Sequence, residues 1–137
     1  MDDAVSRYLA ASAGNDMGEM ASALADGVEL VSPISGRMVF RGREDVAFLL
    51  SAVYGALRDL RWTRQVGDGT DRVAIGEARV GSVRMTDAMV FGLSSADGRI
   101  RKISPHLRPW LALTLFALVL GPKVARRPGV ALRALSG

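Results

Sequence analysis

The sequence predicts an α+β domain in which three N-terminal helices cover one face of a curved antiparallel sheet, with an apolar helix at the C-terminus. Apolar residues recur with helical spacing up to Leu57 and alternate with period two after Asp59. The length of 137 residues suits one domain with a substantial core. We expect residues 1–109 to form this domain and residues 110–137 to be its helical, basic extension.

Two short amphipathic helices are predicted at the start of the chain. The buried face of the first is expected to contain Val5, Tyr8, Leu9 and Ser12. Gly14 ends this helix, and Asn15 or Asp16 provides the N-cap of the next. The second helix is expected to bury Met17, Met20, Ala21 and Leu24. Asp26-Gly27 is predicted to end it.

Residues 29–57 are predicted to form a strand, a loop and the third helix. Residues 28–31 are an apolar strand that Pro33 stops, and residues 35–42 are a loop or a short edge hairpin. The helix begins at Arg43, and the acidic residues Glu44 and Asp45 suit the positive end of its dipole. Its apolar stripe is Val46, Leu49, Leu50, Val53, Tyr54 and Leu57.

Four extended segments follow, separated by glycine-containing turns. They are residues 60–66, 72–80, 83–93 and 99–107. Their length and the short turns between them predict an antiparallel meander.

The C-terminal segment is predicted to be a helix over residues 110–120, a break at Gly121-Pro122, and a last short turn at residues 130–135. The helix is apolar almost all round, so it must be buried on more than one side. It could close the mouth of a cavity, pack in a dimer interface, or dock on a membrane with Lys123, Arg126 and Arg127 at the lipid headgroups. We favour the first over the second and the second over the third.

Composition excludes several classes of function. The chain has no cysteine, which rules out disulfides, thiolate metal sites and cysteine nucleophiles, and its one histidine leaves a multi-histidine metal site without ligands. We therefore expect neither a metal nor a cofactor. The N-terminus lacks the pattern of a secretory signal, and the longest apolar run is too short to span a membrane, so we expect a cytoplasmic protein.

Charge is distributed unevenly along the chain. The net charge is +4, yet every Asp and Glu lies at or before Asp97, so the C-terminal segment is wholly basic. Such a segment could meet nucleic acid or an anionic membrane, but a solvated basic face is the simpler interpretation. No aromatic residues are interleaved with these cations, so we expect no nucleic-acid partner.

Several short motifs occur in a characteristic order over about residues 4–109. They are Arg7-Tyr8-Leu9, Gly14-Asn15-Asp16, Ser32-Pro33, Gly42-Arg43-Glu44 and Asp97-Gly98-Arg99-Ile100. Together they resemble the nuclear transport factor 2-like superfamily, which includes ketosteroid isomerases, SnoaL-like polyketide cyclases and limonene epoxide hydrolases. The resemblance implies a cone-shaped domain whose sheet curls round a deep apolar cavity capped by the helices. It also implies a homodimer formed through the outer face of the sheet.

The resemblance only partly extends to the residues of ketosteroid isomerases. Tyr8 matches the phenol that donates a hydrogen bond to the developing oxyanion. Ser32 stands where those enzymes have their aspartate base, and a serine hydroxyl cannot shuttle a proton between carbons at neutral pH. Met89 stands where they have a second, protonated aspartate. The resemblance therefore does not support that chemistry.

Asp87 is the main candidate for an acid or base. Alternation places it on one strand face with Met89, Phe91 and Leu93, and the resemblance suggests that this face looks into the cavity. Apolar neighbours would raise its pKa by desolvation. A single pocket carboxylate would suffice in principle, since SnoaL-like cyclases use one Asp or His. Alternatively, Asp87 reaches solvent or pairs with Arg84.

Two further groups are predicted to be structural. Glu77 and Arg79 resemble part of the Asp-Arg-Asp arrangement of epoxide hydrolases, but the order is reversed and Pro105 occupies the third place. We expect them to make a cross-strand pair on the outer sheet face. Alternation also turns His106 away from the cavity.

Two functions remain open. The first is a domain that holds a hydrophobic small molecule and acts on it as an isomerase, cyclase or hydrolase, with Asp87 as acid or base and Tyr8 as hydrogen-bond donor. The second is a non-catalytic ligand-binding or dimerisation module whose cavity is filled by its own side chains or by the tail. The residues expected to contact the ligand are Ser32, Leu50, Tyr54, Trp62, Met89, Phe91, Ile103 and Leu107.

Overall fold

The structure is a computed structural model that describes residues 3–136, with side chains except those of Trp110 and Leu111. Five helices are present in this range: α1 (Ala4–Ala13), α2 (Met17–Ser22), α3 (Arg43–Ala56), α4 (Trp110–Ala125) and α5 (Pro128–Leu135). The strands are β1 (Leu24–Val31), β2 (Val39–Arg41), β3 (Arg58–Val66), β4 (Asp71–Val80), β5 (Val83–Leu93) and β6 (Ile100–Arg108). The mixed α+β class is therefore confirmed.

The six strands form one sheet in the order β2-β1-β6-β5-β4-β3. The predicted meander is correct for β3 to β6, and β2 forms the edge hairpin with β1. The prediction of a wholly antiparallel sheet is wrong at one place, because β1 pairs with β6 in parallel, with Leu30 opposite Ile103. Alternation along a strand reports which face each side chain occupies and carries no information about the direction of a distant partner.

The boundary between α2 and β1 lies earlier than the sequence suggested. Leu24 was expected on the buried face of α2, but the helix ends at Ser22 and Leu24 is the first residue of β1. The N–H of Ile100 donates to the carbonyl of Ala23 at 2.9 Å, so pairing with β6 already begins there. The guanidinium of Arg43 also donates to the Leu24 carbonyl, at 2.7 and 3.2 Å. These contacts from distant residues hold the segment in an extended conformation.

Helix α4 continues through Gly121-Pro122, where a break was predicted. A proline inside a helix removes one backbone hydrogen bond and strains the preceding turn. Leu120 and Val124, on either side of the pair, both pack against the core, and this packing outweighs the local cost. The chain turns instead at Arg126 and Arg127, and Pro128 begins α5 at a position where proline is well tolerated.

One face of the sheet carries the core and the other is outward. Buried residues alternate along β4 and β5, and α1 to α4 contribute the opposing apolar side chains. On the outward face, Glu77 pairs with Arg61 at 3.3 Å and Arg79 pairs with Asp59 at 3.8 Å. The two residues thus make cross-strand ion pairs on the outer face, as predicted. They do not pair with each other, because both belong to β4 and each meets a β3 residue of opposite charge. His106 is exposed, as expected.

None of the helices within residues 3–136 has both the length and the hydropathy that a membrane crossing requires.

Candidate active site

A cavity of about 310 Å³ lies between the inner face of the sheet, α3, the β1–β2 loop and the C-terminal helices. Its wall is almost entirely apolar. The sheet and the β1–β2 loop contribute Leu30, Ser32, Pro33, Ile34, Met38, Phe40, Met85, Asp87, Met89, Pro105 and Leu107. Helices α3, α4 and α5, together with Leu57 directly after α3, contribute the rest of the wall: Leu49, Leu50, Val53, Leu57, Phe116, Ala117, Leu120, Gly121, Val124, Ala125 and Ala131.

Among the side chains that the structure describes, Asp87 is the one charged group on this wall. It lies in the middle of β5, with Gly76 opposite on β4 and Leu107 opposite on β6. The residue is only 7% exposed. Its Oδ1 atom is fully buried and has no hydrogen-bond partner among the residues that the structure describes. The alternative prediction, that Asp87 reaches solvent or pairs with Arg84, is therefore wrong.

The surroundings of Asp87 change its ionisation. Burial raises the pKa of this carboxyl to about 7, because the apolar wall disfavours the charged form. The backbone N–H of His106 favours the ionised form and limits the rise. A carboxyl with a pKa near neutrality can release or take up a proton at physiological pH, which is what a general acid or base requires.

Tyr8 and Tyr54 form a second buried polar group next to the cavity. Their hydroxyl oxygens are 2.7 Å apart and their rings pack edge to face, with centroids 6.1 Å apart. The Tyr54 hydroxyl also donates to the sulfur of Met89 at 3.9 Å. Burial raises the pKa of both phenols above the usual range, so both stay protonated. Neither tyrosine lines the cavity, whereas Met89 does.

The predicted ligand contacts are divided between the cavity wall and the core. Ser32, Leu50, Met89 and Leu107 are on the wall, together with Asp87. Tyr54, Trp62, Phe91 and Ile103 are not, and Tyr8, predicted to act on the ligand, is not either. For Phe91 and Ile103 the reason is their position along β5 and β6. Alternation identifies the inner face correctly, but on that face Phe91 and Ile103 are covered by other side chains and are fully buried.

Trp62 and Ser32 have local structural contacts. The Trp62 indole N–H donates to Ser12 Oγ at 2.8 Å, and Ser12 Oγ donates to the Leu9 carbonyl at 2.8 Å, which ties β3 to α1. Ser32 Oγ accepts from the N–H groups of Ile34 and Ser35 at 3.1 and 3.4 Å. Ser32 thus shapes the loop at the cavity mouth.

The largest set of wall residues that the sequence analysis missed belongs to α4 and α5. Phe116 and Leu120 face the cavity from α4, and Ala131 faces it from α5. The sequence signal for these residues was the predicted C-terminal helix, which is apolar almost all round. The tail forms a wall and leaves the cavity open, so the prediction that the tail or other side chains fill it is wrong.

No group of three or more His, Asp or Glu side chains within residues 3–136 is arranged to hold a metal ion.

Comparisons with solved structures identify the fold. A protein with a cystatin-like fold from Silicibacter pomeroyi DSS-3 has a TM-score of 0.88 at 20% identity, covering 96% of this chain and 93% of that one. A steroid delta-isomerase from Pseudomonas aeruginosa has a TM-score of 0.83 at 22% identity, covering 92% of each chain. A putative SnoaL-like polyketide cyclase from Shewanella denitrificans OS-217 has a TM-score of 0.65 at 8% identity, covering 81% of this chain and 91% of that one.

The chain therefore has the nuclear transport factor 2-like fold, which confirms the resemblance of its motifs at the level of the fold. No family model matches the chain, and no curated protein is significantly similar to it in sequence. At identities below 25% the likeness carries the fold and not the activity.

Proposed function

We propose that this protein binds a hydrophobic small molecule bearing a carbonyl or hydroxyl oxygen, and that Asp87 exchanges a proton with it. The observation that carries the proposal is the buried, unpartnered Oδ1 atom of Asp87 on an otherwise apolar cavity wall. An unsatisfied buried polar atom costs on the order of 1–3 kcal/mol. A ligand hydroxyl that donates to Oδ1, or a ligand carbonyl that accepts from the protonated carboxyl, removes that cost.

The cavity and its single carboxyl set the chemistry. A volume of about 310 Å³ is at the lower end of the range for small-molecule sites, roughly 300–1,000 Å³, and suits one compact polycyclic molecule. Ionised Asp87 would take a proton from the carbon next to a carbonyl. The C–H electron pair moves into the carbonyl to give an enolate, and the new carboxylic acid then returns the proton to another carbon. This isomerisation requires no metal or redox cofactor, and the likeness to a steroid delta-isomerase fold is consistent with it.

Proton transfer is tested with a β,γ-unsaturated ketosteroid, whose conjugated product absorbs in the ultraviolet. We expect kcat/KM of Asp87→Asn to fall by roughly 10²–10⁴-fold, the usual contribution of a positioned acid or base. The wild-type rate should rise with pH through about 7, because Asp87 must be ionised to act as base. The exposed acid Asp97 provides the matched control, and Asp97→Asn should leave the rate unchanged. Equal loss in both variants, or none in Asp87→Asn, contradicts the assignment.

A second function, binding without catalysis, is favoured by one observation. An enolate oxygen requires a hydrogen-bond donor, yet the phenols of Tyr8 and Tyr54 are off the cavity wall and Tyr54 is directed to Met89. Native mass spectrometry of protein from its own host separates the two functions. A retained apolar ligand in both wild type and Asp87→Asn, with no turnover of the ketosteroid by either, selects binding alone.

We also propose that the protein is a homodimer through the outer sheet face. Val66, Val73 and Val90 are side by side across β3, β4 and β5 and form an apolar strip there, of which Val66 and Val90 are exposed. Light scattering of wild type and Val90→Lys tests it. The wild type should have the mass of two chains and the variant the mass of one.

A further inference from the structure

Exposed apolar residues surround the mouth of the cavity. Ile34, Gly121 and Ala125 line the cavity and are also exposed. The mouth of the cavity is therefore between the β1–β2 loop and α4. Leu118 is on the same face of α4 as Gly121 and Ala125, at helical spacing. On α5, Leu132 and Leu135 are exposed directly after the cavity residue Ala131.

We call Ile34, Leu118, Leu132 and Leu135 the collar. Their exposed fractions range from 55% to 68%, so four large apolar side chains meet solvent on the loop and the two helices that contribute to the cavity wall. Single exposed apolar residues are common on proteins, but a cluster round a cavity mouth marks an interaction surface.

Most of the charges near the collar are positive. Arg37 follows Ile34 in the same loop, and Arg126 lies between α4 and α5. Within residues 3–136 neither guanidinium is in an ion pair. No acidic residue occurs after Asp97 in the chain. Of the two α3 acids that act on Arg133 of α5, Asp45 is bound by it at 2.8 Å, and Glu44 is the acid that remains exposed there.

From this arrangement we propose that the collar docks on an anionic lipid bilayer, so that the cavity opens directly into the membrane. Apolar side chains enter the acyl boundary while neighbouring Arg side chains meet the phosphate groups, which is how amphipathic surfaces bind lipid. The positive charge of Arg37 and Arg126 favours an anionic surface over a second copy of this chain. A self-contact at the collar would bring these cations of two copies together. The bilayer is then the source or the destination of the apolar ligand.

The docking surface is tested by sedimentation of the full chain with vesicles of phosphatidylcholine alone and of phosphatidylcholine with phosphatidylglycerol. The wild type should bind the anionic vesicles, and binding should fall as salt is raised. The double variant Arg37→Gln with Arg126→Gln should lose on the order of tenfold or more in partition coefficient. Leu118→Gln with Leu132→Gln should lose a similar factor, because it removes the inserted side chains.

The matched control carries the same chemical change elsewhere. Arg64→Gln with Arg99→Gln removes two exposed cations away from the collar. This control should bind like the wild type, and circular dichroism should show that all variants are folded. Equal loss in collar and control variants overturns the proposal, as does absence of binding to the anionic vesicles. A collar-dependent dimer without vesicle binding also overturns it.

Docking does not depend on the proposed chemistry of Asp87. The Asp87→Asn variant should bind vesicles like the wild type, whether or not the wild type turns over a ketosteroid. Its loss of vesicle binding would contradict the collar as the docking surface.

Discussion

Two buried polar groups lie side by side in this domain, and they differ in whether their hydrogen bonds are made. At the core end, the hydroxyls of Tyr8 and Tyr54 bond to each other. At the cavity wall, Asp87 Oδ1 has no partner among the described residues. Both groups are enclosed by apolar side chains of the same core, so burial alone does not separate a structural group from a functional one. The satisfied pair contributes to stability, whereas the unsatisfied carboxyl reduces it and is available to a ligand.

The largest effect that tests this contrast is the pH dependence of stability at Asp87. Its pKa is about 7 in the folded protein against 3.8 for the ordinary group, so the folded state binds the extra proton between those values. The stabilising effect of this proton is complete below about pH 4 and is lost as pH rises through about 7. The resulting fall in the free energy of unfolding is at most ~4 kcal/mol. Urea unfolding from about pH 4 to about pH 8 should show this decline in the wild type and not in Asp87→Asn. Parallel curves for the two proteins contradict it.

The tyrosine pair should respond differently, with a smaller effect that does not depend on pH in this range. Tyr8→Phe leaves the Tyr54 hydroxyl with only its weak hydrogen bond to the Met89 sulfur. This change should lower the free energy of unfolding by roughly 1–3 kcal/mol. The double variant Tyr8→Phe with Tyr54→Phe should cost less than the sum of the two single variants, because no orphaned hydroxyl remains. Urea unfolding measures the cycle. Strict additivity would mean that the two hydroxyls do not act as a pair.

The smallest expected effect concerns the outer wall of the cavity, where α5 is attached to α3. Arg133 donates to both carboxylate oxygens of Asp45 at 2.8 and 2.9 Å, and this lowers the pKa of Asp45. Arg133→Gln should lower the free energy of unfolding only slightly, since Arg133 is largely exposed and solvent screens the pair.

Hydrogen exchange should locate that loss in α5 and leave β5 unchanged. Because the pKa of Asp45 is lowered, the contribution of the pair is present above its ordinary pKa and is lost as pH falls through the lowered value. Faster exchange throughout β5 would show that the tail supports the whole wall, contrary to the expectation.

Much of the fold was predictable because its signals are local. The third helix begins at Arg43 and β5 covers residues 83–93, as the periodicity indicated. The alternation along β5 placed Asp87 on the buried face with Met89 and Phe91, and this is what made it a candidate. Each of these properties depends on neighbours within a few residues.

The tertiary structure decided the rest. Leu24 is in a strand and not in the predicted helix because β1 pairs with β6. Helix α4 continues through Pro122 because Leu120 and Val124 pack against the core. Whether Met89 lines the cavity while Phe91 is in the core is a matter of depth along one strand face, which period two cannot report. The sequence by itself determined the elements and the faces of their side chains, because these follow from backbone geometry. The cavity, the unpartnered oxygen of Asp87 and the collar arise only where segments distant in sequence meet, so their positions follow from packing.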